Sequence, residues 1–358
     1  HETSEPWSGD QHGRFGDIPL AVTLAGRSLS QLLAATISSG HYLVDRVEIS
    51  LRAHIGLVFA PWNGTDVAEL VRRASLAAGQ AAVSGQVEAI WDGSQAALGS
   101  HDLELLADLR LAVERGELRL VYQPQIDARS GDTTAVEALL RWQGSSHGTV
   151  APSRFIPLAE RTGLIDRLTI WVVSEALDAQ VRWRATGLRL RVSVNVSAKT
   201  LAWPGLSDWI LAELHNRRLP SSVLSIEVTE TAAADLKQAV QLLRPLHEHG
   251  VRVSIDDFGT GYTSMAAIPF LPLDEIKVDM SFVQAAPTSP ADEAVVRSVR
   301  ELVNRLGLVS VAEGVEDTAT RDLMTDIGFD LLQGYYFSKP LGEEELLRFL
   351  HTDRSAGR

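Results

Sequence analysis

Leu224-Ser225-Ile226-Glu227-Val228 is the stretch whose reading decides the fold. Side chains of an extended chain alternate sides, so Leu224, Ile226 and Val228 share one face, and Ser225 and Glu227 share the other. Val192-Ser193-Val194-Asn195-Val196 and Val253-Ser254-Ile255-Asp256 repeat the arrangement, and Ile276-Lys277-Val278 follows the same phase. Strands of this kind present apolar residues to covering helices and small or polar ones to a barrel interior. Val136-Glu137-Ala138 and Val311-Ala312-Glu313 add two more acids near strand ends. Glu313 shares its phase with Val309 and Val311, a mismatch that a β-bulge would repair.

Outward from these strands, a regular alternation of helix and strand runs from about residue 101 to the end. Leu103, Leu106, Leu109 and Val113 mark a first helix, and Leu118 to Gln123 a strand after it. After Pro290, the residues Val295, Val299, Leu302, Val303 and Leu306 form one helical stripe. Asp292 and Glu293 lie near its start and Arg300 and Arg305 towards its end, as the helix dipole favours. Such alternation implies parallel strands covered by helices, in a barrel or an open doubly wound sheet. The acids come from many different strands, which favours the barrel, because an open sheet concentrates its site at a switch point. The expected fold is therefore α/β, a (β/α)8 TIM-like barrel over residues 99–358, preceded by a smaller α+β segment over residues 1–98. Five carboxylates and one amide on one rim would repel each other unless something cationic sat among them. A site for divalent metal, with room for two ions, is the reading that follows.

The bulk properties bound the rest. The chain has 358 residues, 45% of them apolar, enough for one large core and a smaller piece. Its net charge of -13 argues against a reader of DNA or RNA duplexes, but leaves room for a small phosphorylated ligand in a locally cationic pocket. It has no cysteine, which excludes disulfides and thiolate metal sites and fits a reducing, cytoplasmic location. No apolar run is long enough to span a bilayer and no signal peptide is recognisable. The first residue is His1 rather than Met, so a fragment of a longer chain is expected, with any sensor or membrane anchor upstream.

Across residues 103 to 350 the chain resembles the EAL-domain phosphodiesterases of cyclic di-GMP. The resemblance rests on Tyr122-Gln123-Pro124, Glu137-Ala138-Leu139-Leu140-Arg141-Trp142, Val194-Asn195-Val196-Ser197 and Glu227-Val228-Thr229-Glu230. It continues through Asp256-Asp257-Phe258-Gly259-Thr260-Gly261, Ile276-Lys277-Val278-Asp279, Ala312-Glu313-Gly314-Val315-Glu316 and Gln333-Gly334-Tyr335. One tripeptide would carry nothing; eight motifs in order are specific. The resemblance implies one ion on Glu137, Asn195, Glu227 and Asp256, and a second on Asp256, Asp257 and Glu313. Hard oxygen donors of this kind suit Mg²⁺ or Mn²⁺. It further implies that Lys277 positions or polarises the attacking water and that Arg141 reaches a phosphate oxygen. Gln333 would contact the water or ligand and Gln123 the nucleotide. Glu230 would anchor the loop after Asp257, whose Gly259 and Gly261 give it freedom, and a homodimer through the barrel is expected.

Residues 1–98 resemble the second half of a degenerate GGDEF domain. Arg14 to Val22 lies without gaps on the motif Arg-Leu-Gly-Gly-Asp-Glu-Phe-Ala-Val, with Ile18-Pro19 in place of its acidic pair. Ser75 and Ala82 stand where such domains often carry Asp and Lys, so diguanylate cyclase activity is not expected. In this segment Leu20 to Leu24 and Ile55 to Phe59 read as strands, Thr65-Asp66 as the cap of a helix bearing Val67, Leu70, Val71 and Leu76, and Asp92 to Ser100 as the boundary.

Each residue also has a plainer explanation. Glu137 alone would be a solvated rim residue, Asn195 and Gln333 turn residues, Asp256-Asp257 a helix cap, and Arg141 a stacking partner of Trp142. Lys277 on an apolar strand resists that treatment, because a buried lysine without partners is costly. No histidine spacing suggests a metal site and no nucleophile elbow is present. The competing functions are a catalytically silent cyclic-di-GMP receptor or scaffold and, less favoured, a metal-dependent phosphatase or aldolase-type barrel.

Overall fold

Leu20 begins a helix, not the strand that its apolar neighbours suggest. In this computed structural model, residues 18, 20–38, 42–44, 47–49, 53–84, 86–91, 100–144, 148–233, 236–260 and 268–356 are described. The overlay on Arg14 to Asp17, the boundary from Asp92 to Gly99, and Gly261 lie outside them. Helix α1 (Leu20–Ser38) buries Thr23, Ser30 and Ala34, a helical spacing of small side chains that a five-residue apolar window cannot reveal. Strands β1 (Tyr42–Val44) and β2 (Val47–Ile49) pair antiparallel. Strand β3 (Ile55–Leu57) pairs in parallel with β4 (Glu88–Ile90) around helix α2 (Val67–Ser84). The Asp66 carboxylate accepts the Glu69 N–H at 2.9 Å, the cap read from the sequence. Gly56 lets α2 approach closely: a Cβ there would collide with the backbone of Ala74. The Ser75 hydroxyl is spent on the Val71 carbonyl at 2.9 Å.

The chain divides into two compact units, residues 1–112 with 157–164, and residues 113–156 with 165–358. Helices α3 (Ser100–Ala112) and α4 (Pro152–Thr162) lie around that division. The second unit holds strands β5 (Leu118–Asp127), β6 (Thr133–Gly144), β7 (Gly148–Val150), β8 (Arg191–Asn195), β9 (Leu224–Thr229) and β10 (Arg252–Phe258). They continue as β11 (Glu275–Val278), β12 (Val309–Ala312) and β13 (Leu331–Leu332). Between and after them run α5 (Leu164–Ala185), α6 (Leu206–Asn216), α7 (Glu230–Ala233), α8 (Leu236–Glu248) and α9 (Met280–Ala285). The last three are α10 (Pro290–Arg305), α11 (Thr318–Ile327) and α12 (Glu343–Ala356). Pairing runs β5-β13-β12-β11-β10-β9-β8-β6, and β5 pairs with β6 to close the barrel. Strand β7 extends β6 outside the closed ring.

Strand direction departs from the all-parallel expectation at one place. Strand β5 runs antiparallel to both its neighbours, β6 and β13. The cause is local: the turn over residues 128–132 is too short for a crossover. Asp127 closes it by accepting the N–H groups of Arg129 and Ser130 at 3.0 and 2.8 Å, and Gly131 supplies φ +77°.

The period-two reading of the strands holds. Ile226, Val228, Val253, Ile255, Ile276 and Val278 are buried in the apolar shell under the helices. On α10 the buried stripe is Val296, Val299 and Val303, while Val295 turns to solvent. Opposed residues in neighbouring strands share a face, so the register Asn195–Glu227–Ser254–Glu275–Val309 traces the barrel interior. Lys277 stands opposite Val311, which places Val311 inside too. Glu313, two residues on, is in interior phase without any bulge in β12. The bulge falls in β10 instead, where Ile255 pairs with Ile276 but Phe258 with Val278, one extra residue on the β10 side.

Candidate metal centre and substrate cavity

That bulge explains how two consecutive aspartates face one site. On a regular strand Asp256 and Asp257 would point to opposite faces. Asp257 adopts φ +54°, a left-handed conformation that aspartate tolerates better than most residues, and its N–H folds back onto the Asp256 carboxylate at 3.1 Å. As a result, carboxylate oxygens of Asp256, Asp257 and Glu313 lie within 4.8 Å of one another. Those of Glu137, Glu227 and Asp256 form a second such group. Both groups share Asp256.

Lys277 sits at the centre, fully buried. Its Nζ lies 2.7 Å from Glu313, 2.9 Å from Asp256, 3.1 Å from Glu227 and 3.3 Å from Glu137. Four acids around one cation leave an excess of negative charge, which shifts the pKa values of the cluster. Burial favours neutral Lys277, yet Asp256, Glu137, Glu227 and Glu313 outweigh burial and hold its pKa well above the ordinary lysine value. Burial, only partly offset by Lys277 and reinforced by Glu137 and Asp256, drives Glu227 well above the carboxylate range. Burial pushes Glu313 up to about 8 against the pull of Lys277. Burial, with Asp256 and Asp279 beside it, pushes Asp257 up to about 6. Glu137 moves the other way: burial is overcome by Lys277 and by hydrogen bonds from Gln333 and Asn195.

Glu137 is the best-held acid of the set. Asn195 Nδ2 donates to its Oε1 at 2.8 Å and Gln333 Nε2 to its Oε2 at 2.6 Å. Gln125 Nε2 donates to Gln333 Oε1 at 2.9 Å, which orients the Gln333 amide so that its nitrogen meets Glu137. Gln125 is buried and was missed by the motif reading; its spacing of two from Gln123 on one strand was the available signal. A second ion pair joins the half-buried Arg191 to the buried Glu275 at 2.7 Å, also in interior phase and also unread from the sequence.

The residue groups fit divalent cations on an observation apart from their charge. Glu227 Oε1 is buried and has no hydrogen-bond partner among protein atoms, although its sister oxygen meets Lys277. An orphaned carboxylate oxygen inside an all-oxygen donor set is what a hard cation would satisfy. Asn195 presents its side chain to the same group, on the exposed side of the rim.

A cavity of about 240 Å³ opens over the carboxylates, bounded in part by Gln123, Glu137, Asp257, Glu313 and Gln333. Arg141 does not line it; its Nη1 donates to the Leu140 carbonyl at 2.9 Å. Glu230 lies outside the cluster and accepts the Gly259 N–H at 3.0 Å, tying down the chain that leaves Asp257. Glu316, the last residue of the motif Ala312 to Glu316, also lines the cavity. Trp142 and Trp183 are fully buried, and Trp171, Trp203 and Trp209 pack against the core.

A profile of the EAL domain matches residues 106–340. The bifunctional diguanylate cyclase/cyclic di-GMP phosphodiesterase MucR of Pseudomonas aeruginosa is 38% identical over 330 residues, 91% of this chain and 47% of that protein. Cyclic di-GMP phosphodiesterase NbdA of the same organism is 36% identical over 314 residues, 87% of this chain and 40% of its own. The chain thus spans less than half the length of either relative. Among solved structures, the PaMucR phosphodiesterase in a c-di-GMP complex is 40% identical with a TM-score of 0.66, covering 68% of this chain and 99% of that one. The FimX EAL domain of Pseudomonas aeruginosa bound to c-di-GMP is 27% identical with a TM-score of 0.62, covering 66% and 96%. A closed barrel with one reversed strand, a rim of shared carboxylates around a buried lysine, and these matches lead to one conclusion: the chain belongs to the EAL domain family.

Proposed function

We propose that this chain is a metal-dependent phosphodiesterase that hydrolyses cyclic di-GMP to linear pGpG. The observation that carries the reading is the pair of carboxylate groups joined at Asp256, one of them with the unpartnered Glu227 Oε1. Glu137, Asn195, Glu227 and Asp256 would hold one divalent cation, and Asp256, Asp257 and Glu313 the second. Mg²⁺ or Mn²⁺ bound there would supply Lewis-acid activation of water and neutralise the phosphodiester charge.

The chain's own residues do the remainder. Lys277 offsets four acids that would otherwise repel an anionic substrate, and its ammonium stands where it can orient the attacking water. Gln333, oriented by Gln125, keeps Glu137 in place and offers its amide to the cavity. Gln123 borders the same cavity for contact with the nucleotide, and Arg141, near the rim, is the candidate donor to a phosphate oxygen. Water adds to phosphorus, one P–O3′ bond breaks, and the leaving 3′ oxygen takes a proton. The product carries one 5′-phosphate.

Purified protein should convert cyclic di-GMP to pGpG with Mg²⁺ or Mn²⁺, and Glu137→Ala should abolish this. Chromatography of the reaction decides the matter: tight binding without turnover under any divalent metal would instead establish a silent receptor. The resemblance of residues 1–98 to a degenerate GGDEF segment remains a proposal of the same kind. Its strand at Leu20 to Leu24 is withdrawn in favour of α1, and its expected outcome is no diguanylate cyclase activity from GTP.

A further inference from the structure

The cavity over the carboxylates is lined by acids, by the amides of Gln123 and Gln333, by two glycines and by two large apolar side chains, Met280 and Tyr335. Both are large, apolar and half-exposed, at 48% and 55%. An exposed thioether beside a carboxylate-rich cavity lacks a folding rationale, since it buries little apolar surface. Yet its seat is rigid. Met280 opens α9, whose N-cap Asp279 accepts the Ser281 N–H at 2.9 Å. The Met280 backbone packs against Gly314, which adopts φ +68°; a Cβ on Gly314 would collide with the Cβ of Met280. Gln284 Nε2 donates to the Gly314 carbonyl at 3.2 Å and pins the two segments together. Gly314 directly follows Glu313, so the base of the Met280 side chain is held at a fixed offset from the carboxylate cluster.

Size adds a second argument. A cavity of about 240 Å³ is smaller than the roughly 300–1,000 Å³ that encloses a drug-sized ligand, so a dinucleotide anchored by its phosphate must extend over the rim. The part that extends is a flat, uncharged heterocycle. Sulfur and aromatic faces are the rim groups that suit it, because a thioether contacts a π-face favourably and adapts its shape.

We infer that Met280 is a specificity-determining contact for a purine base of the substrate, set against Tyr335 at the cavity edge. This deepens the function proposed above and rests on it. The experiment compares wild type, Met280→Ala and Met280→Leu on cyclic di-GMP and on bis(p-nitrophenyl) phosphate, a diester without a purine, with Mn²⁺ present. Met280→Ala should raise KM for cyclic di-GMP by about tenfold relative to KM for the nitrophenyl diester, and Met280→Leu should recover most of that ratio. An unchanged ratio, or equal losses on both diesters, overturns the inference and makes Met280 a support of the Glu313 segment. If wild type does not hydrolyse cyclic di-GMP, the proposed function fails on its own, and the inference is then read from calorimetric Kd values. An equal Kd for wild type and Met280→Ala overturns it.

Discussion

Lys277 carries more of the site than any other residue, because it is the only protein cation inside the carboxylate cluster among the described residues. Replacing it with methionine keeps the volume and removes the charge. Glu137, Glu227, Asp256 and Glu313 would then face each other across an uncompensated buried space. Lys277→Met should lower kcat on cyclic di-GMP by roughly 10²–10⁴-fold, the range for a positioned group acting on the reacting water. It should also lower the melting temperature in EDTA more than in Mn²⁺, since added cations take over part of the lost compensation. A kcat within threefold of wild type would remove Lys277 from the reaction. The importance of this residue was legible in the sequence, because a lysine in the middle of an apolar strand demands partners. Gln125 was legible only in part, because its spacing of two from Gln123 shows that it shares that residue's face but not that its amide orients Gln333.

At the scale of elements, the bulge in β10 turns an Asp-Asp pair into two carboxylates facing one rim. Its cost is the left-handed φ of Asp257, about 1 kcal/mol or more for an ordinary side chain. Asn tolerates that conformation at least as well as Asp and removes a carboxylate whose raised pKa costs stability at neutral pH, so Asp257→Asn should be at least as stable as wild type in EDTA by chemical denaturation while losing Mn²⁺ affinity and turnover. Asp257→Ala should be less stable than Asp257→Asn and equally inactive. If Asp257→Asn binds Mn²⁺ as wild type does, the second group of carboxylates is not a cation site. The strand phase made the interior face readable: the register puts Asn195, Glu227 and Lys277 on that face, with Glu313 two residues past Val311 in the same phase. Three features stayed hidden, because a short local pattern encodes neither strand pairing nor the full length of an element. Glu313 needed no bulge because Val309 and Val311 face inward, which only their opposition to Glu275 and Lys277 shows. The reversal of β5 follows from its short turn to β6, and helix α1 from a spacing longer than the apolar run at its start.

At the scale of the whole molecule, the cluster makes the metal-free protein a pH-sensitive fold. Glu313 titrates at about 8 and Asp257 at about 6 in the folded chain, and Glu227 is also raised. Once unfolded, these acids titrate near 4, so between about pH 4 and 8 the folded state holds protons that the unfolded state has released. Stability from these groups therefore falls as pH rises through that window. Glu137 and Lys277 act outside it: a lowered acid adds stability that is lost only at acid pH, and a raised lysine adds stability that is lost only in strong alkali. Divalent cations compete with the same protons, so their stabilising effect must grow as the pH rises. The melting temperature in EDTA should fall from pH 6 to pH 8, and the increment on adding Mn²⁺ should be larger at pH 8, by roughly 3 °C or more. Other groups elsewhere in the chain also titrate, so the comparison is made against Glu313→Gln, which removes the proton held to about pH 8. That variant should show a shallower decline in EDTA and a smaller Mn²⁺ increment at pH 8. Equal slopes for wild type and Glu313→Gln would mean that the acids at this rim are already compensated without metal.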